Sequence, residues 1–227
     1  MRAVLFDFSG TLFAVEEARR WLRRGAAATG VTVAIEDEPP LLDRLLAAGR
    51  PGGPEPRHVP ADLADDYARR DLSGATHRRA YVGLLSQVDA VLAEHLYDRV
   101  QDPDAWVPYA DVEPVLTALR AGGLRTAVVS NIGWDLRPTF AAHGLLDLFD
   151  GYVFSHEVGL MKPDRAIFEL ACAKLDVTPA ETLMVGDHAA DGAAVHAGVR
   201  SLLLPASPPG GVHGLSAVLD LLGTRQR

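Results

Sequence analysis

An aspartate at position 7 stands directly after an apolar run, in the segment Phe6-Asp7-Phe8-Ser9-Gly10-Thr11-Leu12. Alone it could be a turn former. A carboxylate so placed can also attack phosphorus or an activated carbon, dividing one hard displacement into two easier ones through a covalent intermediate. Gly10 would let the backbone turn tightly toward a substrate, and Thr11 is expected to fix the loop by hydrogen bonding. Ser130 and Asn131, in Val-Val-Ser-Asn, offer a hydroxyl and an amide to a non-bridging phosphate oxygen. Both types are also favoured helix N-caps, a role compatible with the first. Lys162, in Val-Gly-Leu-Met-Lys-Pro-Asp, is one of only two lysines, the other being Lys174. Its ammonium could neutralise the charge gathered between a carboxylate nucleophile and an anionic substrate, and Pro163 stiffens its loop. Asp187 and Asp191 lie four residues apart in Gly-Asp-His-Ala-Ala-Asp. Hard oxygen ligands suit magnesium, and with Asp7 they would form a cage for it; Asp187 could also simply cap a helix. Magnesium disfavours imidazole, so His188 is expected to be structural or to face substrate.

These residues need elements that bring them together. Residues 3–8 form a short apolar run ending at Asp7 and a Ser-Gly-Thr turn, as a buried parallel strand feeding a loop would. From Glu16 to about Ala105 apolar residues fall at helical spacing, for example Leu84, Leu85, Val88, Val91, Leu92 and Leu96. Within this block, 51–60 (PGGPEPRHVP) must be a loop. After Pro108 helices and short apolar strands alternate: helix 112–121, strand 126–130, helix 136–143, strand 152–155, helix 166–175, strand 182–185, helix 190–197, strand 201–204 and helix 215–222. That alternation marks a parallel sheet with crossover helices. The expected fold is α/β: a doubly wound parallel sheet core made of 1–13 and 108–227, carrying an inserted all-helical cap, 14–107. In such sheets ligands bind beyond the carboxyl ends of the strands, where strand order switches, and the polar residues above cluster at those ends.

Composition narrows the class. The chain has 227 residues, 48% hydrophobic and 23% charged, enough to bury a core and unlike a disordered sequence. A net charge of −8 leaves no basic footprint for nucleic acid, so the expected partner is a small anionic molecule. Cys172 is the only cysteine, which rules out an intrachain disulfide, and it reads as a core thiol. Asp7 interrupts the apolar start and no stretch approaches a membrane span, so a cytoplasmic protein, monomer or homodimer, is expected. Arg19, Arg20, Trp21, Arg23, Arg24, His77, Arg78, Arg79 and Tyr81 could contact an anion, but arginines on helices are expected as a solvated face.

Taken together, Asp7-Phe-Ser-Gly-Thr, Ser130-Asn131, Lys162-Pro163 and Gly186-Asp187 with Asp191 resemble, in order and spacing, the four motifs of the haloacid dehalogenase superfamily. The insert resembles the C1-type cap of its subfamily I. The resemblance implies a Rossmann-like core in which Asp7 attacks, Ser130 and Lys162 hold the transferred group, and magnesium is bound by Asp7, the Ser9 carbonyl and Asp187, with Asp191 acting through water. The cap would close over the site and select substrate. Phosphatases of the family carry a second Asp at the position of Ser9 as acid and base, and losing such a group costs about 10² to 10⁴ in rate. Metal-free 2-haloacid dehalogenases have Tyr there and a Ser-x-Asn-x-x-Asp fourth motif, unlike Gly186-Asp187. Phosphonoacetaldehyde hydrolases need a cap lysine, and none lies between residues 14 and 108. The expectation is a magnesium-dependent phosphatase or phosphotransferase for a small phosphorylated metabolite; the alternatives are a dehalogenase-like hydrolase or a non-catalytic phosphate-binding protein.

Overall fold

Alternation at the start of the chain sets the layers. In the computed structural model, which describes residues 1–205 and 207–223, β1 (Ala3–Phe6) is buried along its whole length. Val4 and Phe6 face one apolar cluster, Ala3 and Leu5 the other. Side chains of a strand point alternately to opposite faces, so a strand that is apolar at every position belongs between two layers.

Next comes the short strand β2 (Phe13–Val15), followed by helices α1 (Ala18–Thr29), α2 (Glu38–Ala48), α3 (Ala64–Ala68), α4 (Gly74–Ser86) and α5 (Ala93–Arg99). Strand β3 (Trp106–Pro108) then returns antiparallel to β2, Ala14 opposite Val107. Helix α6 (Val112–Ala121) leads into β4 (Arg125–Ser130), α7 (Arg137–Ala142) into β5 (Gly151–Phe154) and the turn of helix α8 (Ser155–Val158). Helix α9 (Arg165–Lys174), β6 (Thr182–Gly186), α10 (Ala189–Gly192), β7 (Arg200–Leu203) and α11 (Ser216–Leu222) complete the chain.

The main sheet is five-stranded and parallel, in the order β5-β4-β1-β6-β7. Its Rossmann-like α/β class is the one the alternation of elements predicts. Strand β1 sits at the centre with β4 on one side and β6 on the other, so the chain leaves it in opposite directions and a crevice opens at its carboxyl end. Asp7 is the first residue beyond that end. Among the described residues no helix is long and apolar enough to cross a membrane.

Several elements differ from the sequence expectation. The first strand stops at Phe6, although the Asp7 N–H still donates to the Val185 carbonyl at 2.9 Å. Ser155 opens a helical turn instead of ending a strand. The helix expected over 190–197 is split into α10 and a 3-10 turn, Ala193–Ala197, that ends at left-handed Gly198. The pair β2 and β3 has only three residues per strand, too few to show a period in sequence.

The β2–β3 pair is the stem joining the helical block to the sheet. There Phe8 packs on Trp106 with ring centroids 4.6 Å apart. Just beyond it, buried Glu16 receives two bonds from Arg99, Nε to Oε1 at 2.7 Å and Nη2 to Oε2 at 2.8 Å. Removing one member of a buried bidentate pair strands the other charge. Glu16→Ala should therefore lower unfolding free energy by about 3 kcal/mol, the low end for such pairs because Arg99 keeps Asp102 and Asp104; urea denaturation measures it.

Candidate active site

Strand ends place the polar residues. Asp7 follows β1, Ser130 is the last residue of β4, and Gly186 ends β6 with Asp187 next. Lys162 arrives from the loop after β5 and α8. Its Nζ donates to Asp7 Oδ1 and to Asp191 Oδ1, each at 2.6 Å. Asp7, Asp187 and Asp191 offer carboxylate oxygens within 4.8 Å of one another. Thus Asp7, Lys162, Asp187 and Asp191 share one site, and Ser9, Ser130 and Asn131 line the same cavity of about 840 Å³.

Glycines make this density of charge possible. Gly10 has φ +83°, and a Cβ there would lie 2.1 Å from Asp187 Oδ2, so both conformation and contact require glycine. A Cβ on Gly186 would come 2.2 Å from Asp191 Cγ. The loop after Asp7 is closed by its backbone: Gly10 N–H donates to the Phe13 carbonyl at 2.7 Å and Phe13 N–H to that of Phe8 at 2.9 Å. Thr11, expected to brace this loop, instead has a buried hydroxyl with no hydrogen-bond partner among the described residues.

Asn131 also differs from expectation. Its Nδ2 donates to the Lys162 carbonyl and its Oδ1 accepts the Lys162 N–H, both at 2.8 Å. One Nδ2 N–H and one Oδ1 lone pair are thus used in fixing the lysine loop, so Asn131 positions Lys162. Asp191 is similarly committed: its Oδ2 accepts the backbone N–H groups of Asp187 at 3.3 Å and His188 at 3.1 Å. His188 caps α10, its Nδ1 accepting from Ala190 N–H at 3.3 Å.

Charge follows from this geometry. Burial pushes the Asp7 carboxyl up to about 7; Lys162 opposes the rise, while Asp191 and Asp187 add to it. Burial pulls the Lys162 ammonium down, but Asp7 and Asp191 more than offset that and hold it above the usual lysine range. Asp187 is raised by burial and by Asp191. Three carboxylates around one ammonium leave two uncompensated negative charges when all are ionised. An all-oxygen donor set with that deficit fits a hard divalent cation, and its charge would return Asp7 to the carboxylate form.

The helical block closes the cavity from the other side. Arg50, Gly52, Arg70, Asp71, His77, Tyr81 and Trp106 contribute to its wall. Burial, with Arg70 and His156 adding, pushes His77 down to about 3, so it is neutral; its Nδ1 lies 2.9 Å from the Tyr97 hydroxyl. Asp71 is buried and raised by that burial. Most arginines noted in the sequence are paired on the surface of the block: Arg19 and Arg23 with Glu38, Arg78 with Glu94 and Asp98, Arg79 with Asp66. Arg50 and Asp71 escaped the sequence analysis; the only local sign of Arg50 was its place at the head of a Pro-Gly-Gly-Pro turn.

A family model, haloacid dehalogenase-like hydrolase, matches residues 1–198, and the chain belongs to that family. It is 31% identical over 193 residues to a glyceraldehyde 3-phosphate phosphatase of Methanopyrus kandleri, covering 82% of this chain and 76% of that protein. It is 34% identical over 110 residues to (S)-2-haloacid dehalogenase 1 of a Pseudomonas species, covering 48% of this chain and 46% of the relative. Several curated relatives are thus matched over less than half their own length. A solved phosphatase of Thermococcus onnurineus superposes with a TM-score of 0.63 at 22% identity, each chain covered at 100%. A solved dehalogenase gives 0.67 at 23% identity, with 97% of this chain and 96% of that one covered. The last two likenesses concern the fold alone.

Because Asn131 holds the lysine loop from both sides, Asn131→Ala should lower turnover about 100-fold by letting Nζ drift from Asp7, with little change in melting temperature; steady-state kinetics beside a thermal melt checks this.

Proposed function

We propose that the protein is a magnesium-dependent phosphohydrolase or phosphotransferase that acts on a small phosphorylated metabolite through Asp7. The carrying observation is the Lys162 ammonium 2.6 Å from both Asp7 and Asp191, with Asp187 in the same cluster, at the switch point of the sheet. Kinship with a glyceraldehyde 3-phosphate phosphatase and with a phosphoglycolate phosphatase of Nitrosospira multiformis supports the phosphoryl substrate.

Asp7 and Asp187 would hold the magnesium ion directly, with the Ser9 carbonyl, and Asp191, both of whose oxygens are engaged, would act through water. When bound, the ion supplies charge neutralisation and orientation for the transferred group. Asp7 Oδ attacks phosphorus as the bond to the leaving oxygen breaks, Lys162 and the Ser130 hydroxyl hold the non-bridging oxygens, and the leaving group departs from the opposite face as an anion that takes its proton from solvent. Water then cleaves the acyl phosphate formed on Asp7. Helices α1–α5 act as the cap that excludes bulk water during these steps. The protein works in the cytoplasm on a soluble anion and has no nucleic-acid partner.

Ser9 shapes the substrate range. Its hydroxyl cannot protonate a poor leaving group at neutral pH as a carboxylic acid would, so reactive phosphates such as acyl phosphates are favoured. The same residue supports a second reading, halide displacement, because halide leaves without a proton; the haloacid dehalogenase relative is consistent with it.

A phosphate-release screen with magnesium tests the first reading against a halide-release assay with and without the metal. Phosphate release that stops with EDTA and in Asp7→Asn is expected; metal-independent halide release would replace it with the second. Ser9→Asp should accelerate hydrolysis of simple alkyl phosphates by about 10²-fold or more and change acyl phosphate turnover little.

A further inference from the structure

Two arginines are buried among the described residues, and they are treated differently. Arg99 meets three carboxylates, those of Glu16, Asp102 and Asp104. Arg50 lies within salt-bridge distance of none. Among the described residues its guanidinium makes one hydrogen bond, from Nη2 to the Glu16 carbonyl at 2.9 Å, and it stands over the Trp21 ring at 5.2 Å. Nε and Nη1 are buried and donate to nothing among the described residues. Glu16, the acid whose charge acts on Arg50, has its carboxylate taken by Arg99 and Arg20.

A buried guanidinium with two idle donors is a costly arrangement that an oxyanion would relieve. Its location gives such an anion a use, because Arg50 forms part of the wall of the cavity that holds Asp7 and Lys162. Between them runs the Pro51-Gly52-Gly53-Pro54 turn. A Cβ at Gly53 would come 3.0 Å from Arg50 Nε, and one at Gly52 would come 3.2 Å from Ser9 Oγ. The turn therefore touches the arginine on one side and the catalytic loop on the other, with no side chains on its two central residues. Burial lowers the Arg50 guanidinium to about 10, still a cation at neutral pH.

We propose that Arg50 anchors a second oxyanion of the substrate, a carboxylate or a further phosphate, while its first phosphate meets Asp7 and Lys162. The Gly52–Gly53 turn is the part of the wall that yields to admit it. The substrate is then a small metabolite with an anionic group at each end. This rests on Asp7 and Lys162 forming a phosphate site, as set out under the proposed function.

Isothermal titration of the whole protein, with magnesium chloride present, tests it without turnover. The probes are ethylphosphonate, phosphonoacetate and propane-1,3-bisphosphonate. At least one of the last two should bind about tenfold or more tighter than ethylphosphonate, phosphonoacetate marking a carboxylate and the bisphosphonate a second phosphate. Arg50→Met should reduce that ratio to within about twofold, and Arg50→Lys, which keeps charge but not the planar donor set, should hold an intermediate value. If Arg50→Met does not fold, the wild-type ratio and the lysine variant decide. Equal binding of all three probes by the wild type, or a preference that survives loss of the guanidinium, overturns the inference and leaves the phosphate site standing. Failure of all three to bind overturns both.

Discussion

Everything at the centre of this molecule depends on one ammonium group held between two carboxylates. Lys162 Nζ reaches Asp7 and Asp191 at 2.6 Å each, with Asp187 close by and almost no solvent to share the charge. Ions taken out of water cost several kcal/mol apiece unless their partners are well placed, so the loops around this cluster have little freedom. Asn131 clamps the backbone of Lys162, Gly10 and Gly186 clear the space for Asp187 and Asp191, and the N–H groups of Asp187 and His188 fix Asp191 in turn. The residual negative charge is of the sign that a hard cation would balance.

The helical block is tied to this centre through few contacts, and strong ones. The β2–β3 stem, the Phe8–Trp106 stack and the Glu16–Arg99 pair fix where the block begins and ends. On the far side of the cavity, Ser155 at the end of β5 donates to the Asp71 carbonyl at 2.6 Å and binds the Ile132 N–H at 2.8 Å. One hydroxyl thus joins the block to the loop that follows Ser130. Block and sheet share one apolar cluster running from Val4 and Phe6 to Trp21 and Leu96. The cavity therefore has a wall of fixed charge from the sheet and a wall of mixed aromatic and charged groups from the block, which is how one fold supports many substrates.

Ser9 is where this sequence departs from the phosphatase motif that it otherwise resembles. Its side chain lies near Gly52 of the block and brings a hydroxyl, which is a far weaker proton donor than a carboxyl. Chemistry that needs no proton for the leaving group loses little by this exchange. Chemistry that needs one loses most of its rate.

How much of this was legible in the sequence depends on range. Sequence alone determined the α/β class, the central apolar strand leading to Asp7 and the helices that follow it, and singled out Lys162, Asp187 and Asp191 as candidates, because residue type and short-range period carry that information. Scarcity helped too: a chain with two lysines draws attention to the one beside a proline. It could not show that Asn131 serves Lys162, that Thr11 makes no brace, or that the helix after Asp187 breaks at Ala193. Those outcomes are set by contacts such as Asn131 with Lys162, 31 residues away. Nor could it separate Arg50 from its neighbours, such as Arg78 and Arg79, which meet acids on the surface. Burial and the absence of a partner are properties of packing between distant segments, and only the tertiary structure decides which of many similar cations is left buried with donors to spare.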